Sequence, residues 1–132
     1  MLNTVVFPAE TPSDLPPILI VHGLYGSARN WGGIARGLAK TRTVLTVDQR
    51  NHGDSPRFPT QSYPDMAADL AELIRAHGGI VDLLGHSVGG KAAMQLALTE
   101  GELLRRLIVA DIAPIAYGHD QSHHARTMRA LD

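Results

Sequence analysis

The chain has 132 residues, 44% of them hydrophobic, enough for one domain or part of one with a buried core. Twelve basic and thirteen acidic side chains leave a net charge of −1 without a run of either sign, which argues against nucleic acid as a partner. Cysteine is absent, so disulfides, thiolate metal sites and a cysteine nucleophile are excluded.

The N-terminus, Met1 to Pro8, has neither a basic segment nor a long apolar one, so it does not read as a secretory signal. The longest aliphatic runs fall far short of the roughly 20 residues a membrane span requires. The expected setting is soluble and cytoplasmic.

Val5–Phe7 reads as a short first strand, followed by a turn-rich linker with Pro12, Pro16 and Pro17. Ile18–Val21 is continuously apolar, as a strand buried on both faces should be. After the break at His22-Gly23, Ser27 offers an N-cap for a helix through Ala39, with Trp31, Ile34, Ala35 and Leu38 at helical spacing. Val44–Val47 is the next strand, ending at Asp48, and Gln49–Thr60 is a loop rich in turn formers.

Pro64 can open a second helix, where its missing N–H costs nothing, and Met66, Leu70, Leu73 and Ile74 form its buried stripe. Gly78-Gly79 stops it. Ile80–Leu84 reads as a strand, Gly89–Leu98 as a helix with a small-residue face that can lie close to a sheet, and Leu107–Ile112 as a further buried strand. Residues 118–132 read as a polar loop and the beginning of a helix.

Strands alternating with helices imply right-handed crossovers and a mostly parallel sheet, with ligands beyond the carboxyl ends of the strands. His22-Gly23, Asp48, Ser87 and Asp111 all fall at or near such ends. Gly85-His86-Ser87-Val88-Gly89 is a G-x-S-x-G sequence between a strand and a helix, the context in which a sharp turn presents a serine as nucleophile. The flanking glycines keep side chains out of the neighbouring backbone.

Together with His22-Gly23-Leu24-Tyr25-Gly26 and Asp48-Gln49-Arg50-Asn51-His52-Gly53-Asp54-Ser55, that motif resembles the α/β-hydrolase superfamily over essentially the whole chain. Gly90-Lys91 and Ala110-Asp111-Ile112-Ala113-Pro114 narrow the resemblance to bacterial YbfF-type esterases. It implies a partial α/β-hydrolase fold: residues 1–114 the N-terminal part of the core, residues 115–132 the start of a helical cap, with C-terminal strands and most of the cap lying beyond.

The resemblance also implies a serine esterase or thioesterase on short acyl groups, with Ser87 as nucleophile and no metal or organic cofactor. The backbone N–H groups of Leu24 and Val88 would form the oxyanion hole. Asp111 is the candidate acid that orients a histidine, although many relatives take this acid from a later strand. In the family the histidine follows the final strand, beyond residue 132. His22 and His52 precede the serine in structural loops, His77 ends a helix, and His86 points away from the hydroxyl. His119, His123 and His124 lie in the expected cap and read as a polar loop rather than a base or metal site.

Two other readings compete. Gly85 to Lys91 also fits G-x-x-x-x-G-K, a phosphate-binding loop, but Ala92 stands where that loop needs a Ser or Thr hydroxyl for the metal. The other is a non-catalytic scaffold that retains the fold without its base. Missing strands would leave apolar sheet surface uncovered and favour self-association.

Overall fold

The computed structural model describes residues 1–23 and 26–110. Five strands form one sheet in the order β1-β3-β2-β4-β5. They are β1 (Thr4–Phe7), β2 (Ile18–Val21), β3 (Val44–Val47), β4 (Val81–His86) and β5 (Leu104–Ala110). β1 runs antiparallel to β3, and every other pairing is parallel. The expected architecture, a mostly parallel sheet flanked by helices, is the one found.

Both faces of the central strands are covered, which is why β2 and β3 are aliphatic without alternation. On one face Leu19, Val21, Leu45, Val47 and Leu83 meet Met66, Leu70 and Ile74 of helix α2 (Tyr63–Ala76) and Ala92, Ala93 and Leu96 of helix α3 (Val88–Glu100). On the other face Ile20 and Val44 pack with Ala35 and Ala39, from helix α1 (Gly32–Leu38) and its C-cap. Leu70 and Ile74 are fully buried, as the spacing of α2 predicts. Ser62 caps α2, its hydroxyl accepting from Asp65 N–H at 3.2 Å, and Pro64 sits in the first turn.

Three expectations need correction. The helix expected from Ser27 to Ala39 is split: Ala28–Trp31 form a 3₁₀ turn and α1 begins only at Gly32. Asn30 Oδ1 accepts from Ser27 N–H at 2.8 Å, a local bond that tightens the first turn, and Gly32-Gly33 then offers weak helical propensity. The expected apolar stripe is also shallow, with Ile34 52% and Leu38 37% exposed.

The strand expected to begin at Leu107 begins at Leu104, and it is not a buried one, since Ile108 is 60% exposed. Arg105 and Arg106 disguise its start. Val81 pairs with Leu104 but Asp82 with Arg106, so Arg105 is an extra residue that bulges. Its guanidinium reaches the Asp82 carboxylate, where Nε–H donates to Oδ1 at 2.9 Å and Nη2 also bonds, while Arg42 donates to Oδ2 at 2.8 Å. The third correction is at β4, which runs through Gly85 and His86, leaving Ser87 alone to make the turn into α3.

Candidate active site

Ser87 stands between the last residue of β4 and the first of α3 with φ 55° and ψ −119°. Asn51 is the other described non-glycine residue with positive φ. A side chain held in that sparsely populated region costs on the order of 1–3 kcal/mol and persists only where its surroundings over-determine it. Here they do. Ser87 N–H donates to the Ala110 carbonyl at 3.0 Å, and its own carbonyl accepts from Lys91 N–H at 3.2 Å inside α3.

The glycines on either side have the role expected of them. A Cβ on Gly85 would stand 2.6 Å from the Gly89 carbonyl oxygen and 2.7 Å from Gly90 Cα. A Cβ on Gly89 would overlap the carbonyl oxygens of Val21 and His22. Helix α3 therefore starts in direct backbone contact with both β2 and β4. Ser87 itself is 5% exposed, so the turn places it in a closed environment rather than on an open ridge.

The loop after β2 comes to the same place. A Cβ on Gly23 would lie 3.0 Å from Ser87 Cβ and 3.1 Å from His86 Nδ1. His86 packs edge-on against Trp31, ring centroids 5.6 Å apart. Val88, as the first residue of α3, belongs to the helix turn whose N–H groups have no intrahelical acceptor. Leu24, the other expected oxyanion donor, and Asp111, the candidate acid, lie outside the described residues, as do His119, His123 and His124 and the expected cap segment 115–132.

His22 is buried, and its tautomer follows from its partners. Gln49 N–H donates to Nε2 at 3.0 Å, so Nε2 carries no proton and Nδ1–H donates to the Gly23 carbonyl at 2.7 Å. Burial pushes the imidazole down from 6.5 to about 4. The nearby His52 and His86 push the same way, and the Gly23 bond and Asp48 oppose them. Both ring nitrogens are committed to structure, in keeping with the expected structural role. His52 Nδ1 lies 3.0 Å from the Arg50 carbonyl, and its ring lies 5.0 Å from that of His22.

Asp48 is an anchor for three segments. Its Oδ1 accepts from Ala28 N–H at 2.8 Å, and Oδ2 accepts from Asp54 N–H at 3.0 Å and Asn3 Nδ2 at 2.9 Å. Burial alone would raise its pKa, but these donors outweigh it and hold the carboxyl below the usual range. Gly53, at φ 49°, lies so close that a Cβ there would overlap this carboxylate. Arg50 forks onto Asp69 at 2.7 and 3.0 Å and stacks 4.4 Å from the Phe58 ring centroid. The D-x-R loop is thus a scaffold beside the serine turn.

The phosphate-loop reading meets two obstacles. Ala92 is fully buried in the core, and the Lys91 ammonium lies 5.8 Å from the Tyr63 ring centroid. The sequence reasoning also missed the pairing of His22 with Gln49, whose side chain donates from Nε2 to the His22 carbonyl at 2.8 Å. His22 follows β2 and Gln49 follows β3, neighbours only once the sheet has formed, so no local signal paired them.

A strained serine between strand and helix, glycines in backbone contact around it, and a second glycine loop against its Cβ define an α/β-hydrolase scaffold. Residues 16–132 match the family model for the alpha/beta hydrolase fold, and the chain belongs to that family. It is 41% identical over 123 residues to esterase YbfF of Escherichia coli (strain K12), covering 92% of this chain and 48% of that protein. It is 44% identical over 115 residues to the sn-1-specific diacylglycerol lipase ABHD11 of Danio rerio, covering 85% of this chain and 36% of that protein. A solved structure described as a marine microorganism esterase superposes with a TM-score of 0.84 at 40% identity, over 98% of this chain and 50% of that one. The resemblance to YbfF-type esterases therefore holds, and the chain spans about half the length of these relatives or less. Among the described residues no helix is long and apolar enough to cross a membrane.

Proposed function

We infer that the protein is a serine hydrolase acting on small carboxylic esters or thioesters, with Ser87 as its nucleophile. The observation that carries this reading is the strained backbone of Ser87 at the β4–α3 junction, with Gly23 packed against it. The names of similar proteins, an esterase and a diacylglycerol lipase, support the substrate class.

In the proposed reaction Ser87 Oγ bonds to the acyl carbon and gives its proton to a histidine base. The carbonyl π pair moves onto oxygen, where the N–H groups of Leu24 and Val88 receive it. Collapse of that intermediate expels the alcohol or thiol, which takes the proton. Water then repeats the sequence on the acyl-enzyme and releases the acid. Asp111 is the proposed orienting acid. His22 is not that base, being neutral with both ring nitrogens occupied.

A second reading is a scaffold that keeps the pocket without turnover. Intact mass after exposure to an alkyl fluorophosphonate separates the two. One adduct on the parent chain and none on Ser87→Ala supports an activated serine, whereas an unlabelled parent supports the scaffold. On either reading the exposed Leu107 and Ile108 of β5 are proposed to promote self-association, and a clean monomer in sedimentation velocity would count against that.

A further inference from the structure

Away from the serine turn, a cleft of about 540 Å³ opens between β1, the end of β3 and the turn that leads into α1. Its volume is that of a small-molecule site, and none of its lining residues belongs to the β4–α3 junction. Val5 and Phe7 of β1 give it apolar surface, and Val5 stands opposite Thr46 of β3 in the strand register.

Arg29, in the 3₁₀ turn, and Arg36 of α1 both line this cleft. Neither guanidinium makes a hydrogen bond or ion pair, whereas Arg42, Arg50, Arg75 and Arg105 each find a carboxylate. Gly32 makes room for Arg36. A Cβ there would stand 3.3 Å from Arg36 Nη1, so the guanidinium lies back along the helix over the bare glycine.

Thr46 is also unpartnered. It is 1% exposed, yet its hydroxyl has no hydrogen bond among the described residues, where buried hydroxyls are ordinarily satisfied. Because Thr46 lines the cleft, a bound ligand can supply the missing partner. Asp48 lines it too, but its carboxylate is already met by Ala28 N–H, Asp54 N–H and the Asn3 amide. That leaves Asp54 as the carboxylate in the lining without such donors.

We propose that this cleft binds a small phosphomonoester with an apolar body: Arg29 and Arg36 take the phosphate, Thr46 donates to it, and the body lies on Val5 and Phe7. Two guanidinium forks and a hydroxyl offer more donors than the two oxygens of a carboxylate use, and they suit a dianion with three terminal oxygens. The site is separate from the Ser87 chemistry and does not depend on it.

Isothermal titration with phenyl phosphate at fixed ionic strength is the test, each chain being checked by a thermal melt. The parent should bind it saturably. Inorganic phosphate, which lacks the body, and phenylacetate, with one charge on two oxygens, should each bind about tenfold more weakly or worse. Arg29→Gln and Arg36→Gln should each weaken phenyl phosphate about tenfold or more, and Thr46→Val about threefold or more, while Asp54→Asn tightens it. Arg106→Gln removes the same charge from β5, at the opposite edge of the sheet, and should bind as the parent does. A parent that melts cooperatively but binds nothing saturably overturns the proposal. So does affinity that survives both arginine substitutions, or that falls equally in Arg106→Gln. Parental affinity in Thr46→Val overturns the hydroxyl contact, which is the feature that singles out this cleft. Phenylacetate binding as tightly as phenyl phosphate overturns the phosphate assignment, and inorganic phosphate doing so overturns the apolar body.

Discussion

Gly89 and His22 meet backbone to backbone: a Cβ on the glycine would overlap the carbonyl oxygen of the histidine. The first turn of α3 thus rests on the end of β2, and the serine turn is fixed between them. Gly89→Ala should destabilise the fold by about 1–3 kcal/mol or more, because the atoms its Cβ would meet are main-chain atoms that cannot rotate away. Gly33 and Gly37 of α1 provide the control, since a Cβ on either meets no atom within 4 Å. Alanine at those two positions should raise stability by about 0.5–1 kcal/mol each. Urea unfolding distinguishes the cases, and an unaffected Gly89→Ala protein would contradict the close approach.

Asp48 makes a related prediction through charge. Asp48→Ala strands Ala28 N–H, Asp54 N–H and the Asn3 amide at once, and should cost about 3 kcal/mol or more. Asp48→Asn keeps the shape but turns one acceptor into a donor, and should fall between alanine and parent. Equal stability of all three chains in urea would remove the anchoring role.

How much of this was legible beforehand depended on the range of the interaction. β2 and β3 matched residue for residue because an unbroken aliphatic run between turn formers is a local signal. The serine turn was legible because Gly85 and Gly89 encode backbone contacts that only glycine allows. The start of β5 was hidden because Arg105 reads as surface until Asp82, 23 positions earlier, supplies its partner. Gln49 and His22 are 27 positions apart, and no spacing rule connects them before the sheet brings β2 beside β3. Asp48 looked chemically suggestive at a strand end, but only its donors revealed it as an anchor. The split of α1 followed from one side-chain bond, Asn30 to Ser27, competing with helical hydrogen bonding.

Arg50 tests geometry rather than charge. Its guanidinium makes a two-pronged bond to Asp69, donates to the Thr60 carbonyl at 3.1 Å and stacks on Phe58. Lysine preserves the positive charge but has no planar fork. Arg50→Lys should therefore destabilise the chain by about 1–3 kcal/mol, with little relief from changing salt, since both partners are largely buried. A parental denaturation midpoint for Arg50→Lys would show that charge alone suffices.

His22 sets a pH window distinct from that of the carboxylates. Folding lowers its pKa from 6.5 to about 4, so between those values the unfolded chain binds a proton that the native chain does not. Its contribution is complete above about pH 6.5, declines as pH falls toward 4, and amounts to about 3 kcal/mol across the window. Burial is the main cause. The charged or titratable groups facing the ring are His52, His86 and Asp48, the first two opposing protonation and the third favouring it. Asp48, depressed below its ordinary value of 3.8, is lost at lower pH still, so the two effects separate. Protonation would also set an N–H on Nε2 against the Gln49 N–H, breaking the bond between them. Urea midpoints from pH 7.5 to 4.5 should therefore fall for the parent and fall less for His22→Gln, whose amide does not titrate. Parallel curves for the two chains would show that the buried imidazole does not set this slope.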